Sequence, residues 1–188
     1  MKFHIFTIFP DMYSSTFEEG VIHRGIAKGH VEIFLHNIRD YTNDKHKKVD
    51  DSPFGGGPGM IMKPEPIFNA VETVSKNHNI SKTTPKILLS PQGKQFNHKI
   101  AKELADLSEI ILICGRYEGF DERIRETLAT DEISIGDYIL SGGELASMVI
   151  IDSVSRLIPG VLGSNESPSN DSFYNDLLQF PQYTRPAS

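Results

Sequence analysis

The run Glu109-Ile110-Ile111-Leu112-Ile113-Cys114, ended by Gly115, constrains the fold more than any other stretch of this sequence. Its side chains alternate between two sides of a strand, yet nearly all are apolar. Such a strand offers no face to water and belongs inside a sheet covered on both sides. Phe3–Phe9, Val31–Leu35 and Lys86–Ser90 are further short runs rich in β-branched and aromatic residues, and they read as strands. Pro91-Gln92-Gly93 marks a turn that stops the third of these.

Helix-like stretches lie between the strands. An amphipathic stretch spans Met12–Lys28. A helix follows Asn97, a plausible N-cap, with Ile100, Leu104 and Leu107 on one face. Asp121 caps another helix through Ile124 and Leu128. After Ser134–Leu140 and the turn Ser141-Gly142-Gly143 comes a helix from Glu144 to about Ile158. It is apolar nearly all round and is expected to be central and buried, with Pro159-Gly160 ending it. Alternating strands and helices predict an α/β fold, a mostly parallel sheet with helices on both faces. Ligands of such sheets sit at the carboxyl ends of the strands. That places Ser90–Gly93, Gly115–Gly119 and Leu140–Gly143 on one rim.

At 188 residues, with 38% hydrophobic and 23% charged residues, the chain suits one globular domain. No apolar run is long enough to span a bilayer, and the N-terminus runs straight into a strand with no signal-peptide pattern. With a single cysteine, Cys114, no internal disulfide forms, which fits a reducing cytoplasm. The net charge of −6 argues against a nonspecific nucleic-acid coat but leaves room for a local basic patch. Lys45-His46-Lys47-Lys48 is either such a patch or a solvated loop.

Several segments carry possible chemistry. Gly55-Gly56-Gly57-Pro58-Gly59-Met60 lets backbone approach a ligand closely, or is a flexible surface loop. It lacks the ending of a phosphate-binding P-loop, and no dinucleotide-binding glycine pattern follows a strand. Cys114–Gly119 delivers charged and aromatic groups between two glycines at the rim. There Glu118 pairs with a cation or ribose hydroxyls, or simply bridges to Arg116 or Arg123. Cys114 reads as a packed strand residue, because nothing nearby suggests an activating base. The seven histidines show no structural-zinc spacing. Arg156 is either a helix C-terminal cap or a functional cation. Asp171 lies in the Ser164–Ser172 stretch, whose Ser, Asn, Pro and acidic residues give it a linker composition; composition alone assigns it no catalytic role.

Together these segments resemble the bacterial-type tRNA (guanine-N1)-methyltransferases of the knotted SPOUT class. The matching stretches begin with Ile8-Phe9-Pro10, Arg39-Asp40, Val49-Asp50-Asp51, Gly55–Met60 and Leu89–Gly93. Cys114–Gly119, Asp121-Glu122-Arg123, Ser134–Glu144 and Ile151–Arg156 follow. Ile158–Gly163, Asp171-Ser172-Phe173 and Pro181–Pro186 complete the set, so the match runs the length of the chain in order.

The resemblance implies methyl transfer from S-adenosylmethionine to N1 of the guanosine on the 3′ side of the anticodon. It implies a homodimer, a trefoil knot in the C-terminal half, and use of Mg²⁺ at an unknown site. Cofactor contacts are expected from Leu88, Leu89, Ser90, Pro91, Gly115, Tyr117, Glu118, Ser134, Ile135, Gly136, Tyr138, Leu140, Gly142 and Gly143. The family pattern makes Asp171 the base that takes the N1 proton, Arg156 the cation that steadies charge on O6, and Glu118 a second essential carboxylate. Asp171 of one subunit would work over the cofactor of the other, in a linker that orders on substrate binding. The implied division is a cofactor-binding domain over 1–163, a linker over 164–175, and the start of a C-terminal tRNA-binding domain over 176–188. Leu88 departs from the family, whose members often carry an aromatic there. The rival readings are a different knotted RNA methyltransferase and a noncatalytic nucleotide- or RNA-binding module.

Overall fold

The structure is a computed structural model that describes residues 1–163, 171–174 and 177–186. Most of the expected linker, residues 164–170 and 175, lies outside the described residues. Among the described residues, seven strands and five α-helices follow in order: β1 (Lys2–Thr7), α1 (Gly20–Ala27), β2 (Glu32–Asn37), β3 (Asp50–Asp51), β4 (Ile61–Met62), α2 (Pro64–Asn77), β5 (Lys86–Gln95), α3 (His98–Ala105), β6 (Glu109–Cys114), α4 (Glu122–Thr127), β7 (Asp131–Ser134) and α5 (Glu144–Ser155). A five-stranded sheet has the order β2-β1-β6-β5-β7, and every pairing in it is parallel. The short β3 and β4 form a separate antiparallel hairpin.

The apolar run that predicted a buried strand is β6, the middle strand. Ile110, Leu112 and Cys114 face one core with Met148, Ile151 and Val154 of α5 and Leu104 of α3. Ile111 and Ile113 face a second core with Ile67, Val71 and Val74 of α2 and Ile124 of α4. Helices therefore cover both faces, as the alternation of elements required. The side chain of Asn97 caps α3 at the amide of Ile100, and that of Asp121 caps α4 at Arg123.

Four expectations change. The Met12–Lys28 stretch is not one helix: a 3-10 turn at Pro10–Tyr13 precedes α1, which starts only at Gly20. Helix α2, unassigned from sequence, begins at Pro64 and buries Ile67, Ala70, Val71 and Val74, the i, i+3, i+4, i+7 stripe of an amphipathic helix. Strand β5 does not stop at Pro91. It bulges, so that Leu89 and Lys94 both partner Ile133 of β7, and pairing resumes at Gln95 with Ser134. Gly93 permits this because a Cβ there would lie 2.4 Å from the carbonyl carbon of Glu132. Finally, α5 is not buried all round. Leu145 and Val149 form an outward stripe, 48% and 44% exposed, that no other part of the described chain covers.

Candidate active site at the sheet rim

The bulge of β5 meets the two loops that leave the carboxyl ends of β6 and β7. Their closeness follows from glycine. Gly143 donates its amide to the Gly115 carbonyl at 2.9 Å, and a Cβ on Gly143 would fall 2.8 Å from Cα of Cys114. Arg116 pairs with Gly142 in a β-bridge, and Phe96 donates to the Ser134 carbonyl at 2.7 Å. The chain after β7, at the edge of the sheet, thus returns to the end of β6 near its centre.

A cavity of about 340 Å³ lies between these loops. Its size falls in the range of small-ligand sites. Every residue expected to touch a cofactor lines it: Leu88, Leu89, Ser90 and Pro91 from β5; Gly115, Tyr117 and Glu118 after β6; Ser134, Ile135, Gly136, Tyr138, Leu140, Gly142 and Gly143 after β7. Leu88, Leu89, Ile133, Leu140 and Ala146 supply apolar wall, while the loops supply backbone amides and carbonyls. That mixture suits a flat heteroaromatic base joined to a polar, partly charged chain. Leu88 itself is fully buried in the second core, so it contributes packing and no aromatic stacking.

Below the loops sits an ion pair that sequence reasoning missed. Arg116 Nε donates to Glu144 Oε2 at 2.9 Å, and Thr7 Oγ1 donates to Glu144 Oε1 at 2.7 Å. Glu144 is wholly buried at the start of α5, where the helix dipole also favours its charge. The Arg116 guanidinium further donates to the Ser141 carbonyl and lies over the Phe9 ring, 4.5 Å from its centroid. One arginine therefore ties β1, the β6 loop, the β7 loop and α5 together. The signal available was the charge pattern of Arg116 and Glu144 inside otherwise glycine-rich motifs.

The expected catalytic residues fall in two places. Glu118 is on the cavity wall and bonds neither Arg116 nor Arg123, which pair with Glu144 and Asp121. Its side chain packs on the glycine loop: a Cβ on Gly59 would meet Glu118 Cγ at 2.4 Å, and the Glu118 amide donates to the Met60 carbonyl at 2.9 Å. Asp171 and Arg156 meet outside the cavity. Arg156 Nη2 donates to Asp171 Oδ2 at 2.8 Å, both side chains being half-exposed. Arg156 is also the C-cap residue of α5, so the cation sits at the negative end of that helix.

The full chain, residues 1–188, matches the family model described as tRNA (Guanine-1)-methyltransferase TrmD. The chain belongs to the tRNA (guanine-1)-methyltransferase family. It is an enzyme of that class, transferring a methyl group to N1 of guanine in tRNA. A tRNA (guanine-N(1)-)-methyltransferase of Dehalococcoides mccartyi strain 195 is 58% identical over 186 residues, 99% of this chain and 74% of that protein. The Clostridioides difficile enzyme is 51% identical, over 99% of this chain and 80% of its own length. Among solved structures, the tRNA (m1G37) methyltransferase from Aquifex aeolicus superposes with a TM-score of 0.82 at 39% identity, covering 99% of this chain and 76% of that one.

Two further features of this methyltransferase bear on its chemistry. Cys114 lies next to the cavity floor, but burial pushes its thiol up to about 12, and its sulfur lies 3.4 Å from the Tyr13 hydroxyl. It is a packing residue and no nucleophile. Among the described residues no group of three His, Cys, Asp or Glu side chains is disposed to hold a metal ion.

Proposed function

We propose that this methyltransferase binds S-adenosylmethionine in the cavity between the β5 bulge and the two rim loops and methylates N1 of the guanosine on the 3′ side of the anticodon. Family membership over the whole chain supports the reaction, and the observation that carries the site is the single cavity gathering all fourteen expected cofactor residues. When bound there, S-adenosylmethionine supplies an electrophilic methyl group on a sulfonium.

The chain's own residues then have definite tasks. Backbone groups of Ile135, Gly136, Tyr138, Leu140 and Gly142 hold the adenine, while Gly115, Tyr117 and Glu118 face the ribose and methionine end. Asp171 takes the proton from N1 of guanine as the methyl–N1 bond forms, which keeps the product neutral at that ring. Arg156, already bonded to Asp171, orients the carboxylate and stabilises negative charge developing on O6. Mg²⁺ commonly takes one or two carboxylates plus substrate oxygens, and Glu118 on the cavity wall is the candidate carboxylate to act with it.

The proposed assembly is a cytoplasmic homodimer. Leu145 and Val149 on the open side of α5, with Phe9 and Met12 beside Arg116, leave apolar side chains exposed at one end of the site. The proposed arrangement covers that stripe with a second copy and sets Asp171 of one subunit over the cavity of the other. The return of the β7 loop to β6 supports a trefoil knot. The division proposed is a cofactor domain over 1–163, a linker over 164–175, and the start of a tRNA-binding domain over 176–188.

Two measurements test this reading. Calorimetry with S-adenosylmethionine should show binding that Asp171→Ala leaves intact, while the same variant loses methyl transfer to tRNA by a factor of about 10² or more. No cofactor binding, or full activity in Asp171→Ala, refutes it.

A further inference from the structure

One exposed feature next to the cavity has no part in the chemistry above. The β3–β4 hairpin closes through the glycine loop, and its tip is the turn Pro53-Phe54-Gly55-Gly56, with the Gly56 amide donating to the Pro53 carbonyl at 3.1 Å. Gly55 has φ of 87°, the value demanded at the third position of a type II turn. Phe54 occupies the second position, whose side chain points away from the turn, and it is fully exposed. Its ring therefore contributes nothing to folding.

The stem of this loop is fixed to the cavity rim. Met62 donates to the Gly119 carbonyl at 2.9 Å, Asp121 donates to the Met62 carbonyl at 3.0 Å, and Gly59 packs on Glu118. The other arm carries the basic run. Asp44 accepts the amides of His46 and Lys48 at 2.8 and 3.2 Å, which orders the loop and leaves its side chains in water. Lys47 is engaged with Asp40; among the described residues Lys45 and Lys48 enter no ion pair. Arg39 bonds the Lys47 carbonyl and reaches the Tyr117 hydroxyl at 3.5 Å, joining the basic loop to the cavity.

An exposed aromatic ring on a short tether fixed to the site, with lysines outside any described ion pair on the preceding arm of the same hairpin, matches how proteins hold single-stranded RNA. Bases stack on the ring while cations meet the phosphates. N1 of guanine lies on its Watson–Crick edge, so the substrate loop must present unstacked bases at this rim. We propose that Phe54 is a base-stacking platform for a nucleotide neighbouring the target guanosine, with Lys45 and Lys48 as its phosphate contacts. This rests on tRNA being the substrate.

The test uses Phe54→Ala, Phe54→Tyr and the pair Lys45→Ala/Lys48→Ala, assayed for tRNA binding, single-turnover methylation and S-adenosylmethionine binding. Phe54→Ala should weaken tRNA binding about 10-fold and leave cofactor affinity and melting temperature unchanged. Phe54→Tyr should stay within about twofold of the parent, since its ring still stacks. The double lysine variant should reduce the salt dependence of tRNA binding. Parental tRNA affinity in Phe54→Ala, or an equal loss of cofactor affinity, overturns the stacking role while the functional reading stands. A parent protein that binds the cofactor but does not methylate tRNA removes both.

Discussion

Acid should destabilise this protein in a pH range where carboxylates are still ionised, because of a buried imidazole pair on β1 and β2. His4 Nδ1 and His36 Nε2 lie 3.0 Å apart and share one proton between neutral rings. Both residues are buried with parallel rings; His4 stacks on Phe34, His36 lies tilted against Phe6, and His78 is edge-on from the end of α2. Burial and the two neighbouring histidines hold His36 down to about 4. Burial also lowers His4, although Glu109, 3.2 Å from its Nε2, pulls the other way; Lys2 adds to the lowering. A base whose folded pKa is depressed stabilises the fold above its unfolded pKa, near 6.5, and that stability drains as pH falls towards the folded value. For His36 alone the loss is about 2 kcal/mol by pH 5 and about 3 kcal/mol once pH is below 4. Urea unfolding followed from about pH 7.5 to about pH 5 should show the midpoint fall by about 1 M. His36→Gln keeps a partner for His4 Nδ1 but cannot titrate, so its curve should be flatter by the His36 share. A parent protein whose midpoint holds steady to pH 5, or a His36→Gln curve parallel to it, refutes the argument.

Glu144→Ala should cost about 3–5 kcal/mol in chemical denaturation, since it strands the mostly buried Arg116 guanidinium without its carboxylate. Gly143→Ala drives a methyl to 2.8 Å from the Cys114 backbone and should weaken S-adenosylmethionine binding at least about 10-fold by calorimetry; Gly163→Ala, whose added methyl meets no atom of the described residues within 4 Å, should not. Replacing both Leu145 and Val149 with Ser should shift sedimentation towards the monomer and abolish methylation, whereas a still-dimeric double variant counts against the proposed interface.

Much of the fold is legible because local pattern and burial agree. Glu109–Cys114 alternates between two cores, so its near-continuous apolarity reports its place in the sheet directly. Asn97 and Asp121 announce helix starts because a side-chain cap is a local interaction. Misreadings arise where a distant partner decides. Pro91 and Gly93 look like a strand end, yet β7 accepts the bulge because Gly93 has no side chain to strike Glu132. Helix α2 went unassigned; it opens with Pro64 and Pro66, and a proline at the first turn costs no hydrogen bond. The rim residues were legible through their glycines, but the Arg116–Glu144 pair was not, since 28 residues separate the partners.

The proposed site is a cavity lined largely by loop backbone and held in place by a few charged side chains, which suggests a division of labour in the chain. Recognition through amides and carbonyls needs loops fixed to within tenths of an ångström, and glycine contacts such as Gly143 on Cys114 provide closeness without rigidity. Rigidity comes from Arg116, which lies over Phe9, donates to Ser141 in the β7 loop and pairs with the buried Glu144 that begins α5 and is also bonded by Thr7 of β1. The same helix ends in Arg156, where its dipole favours a cation, and that cation holds Asp171. Helix α5 thus links the floor of the cavity at one end to Asp171, the proposed proton acceptor, at the other. Its exposed Leu145–Val149 stripe lies between them, so a second subunit seated there would sense and constrain both ends together.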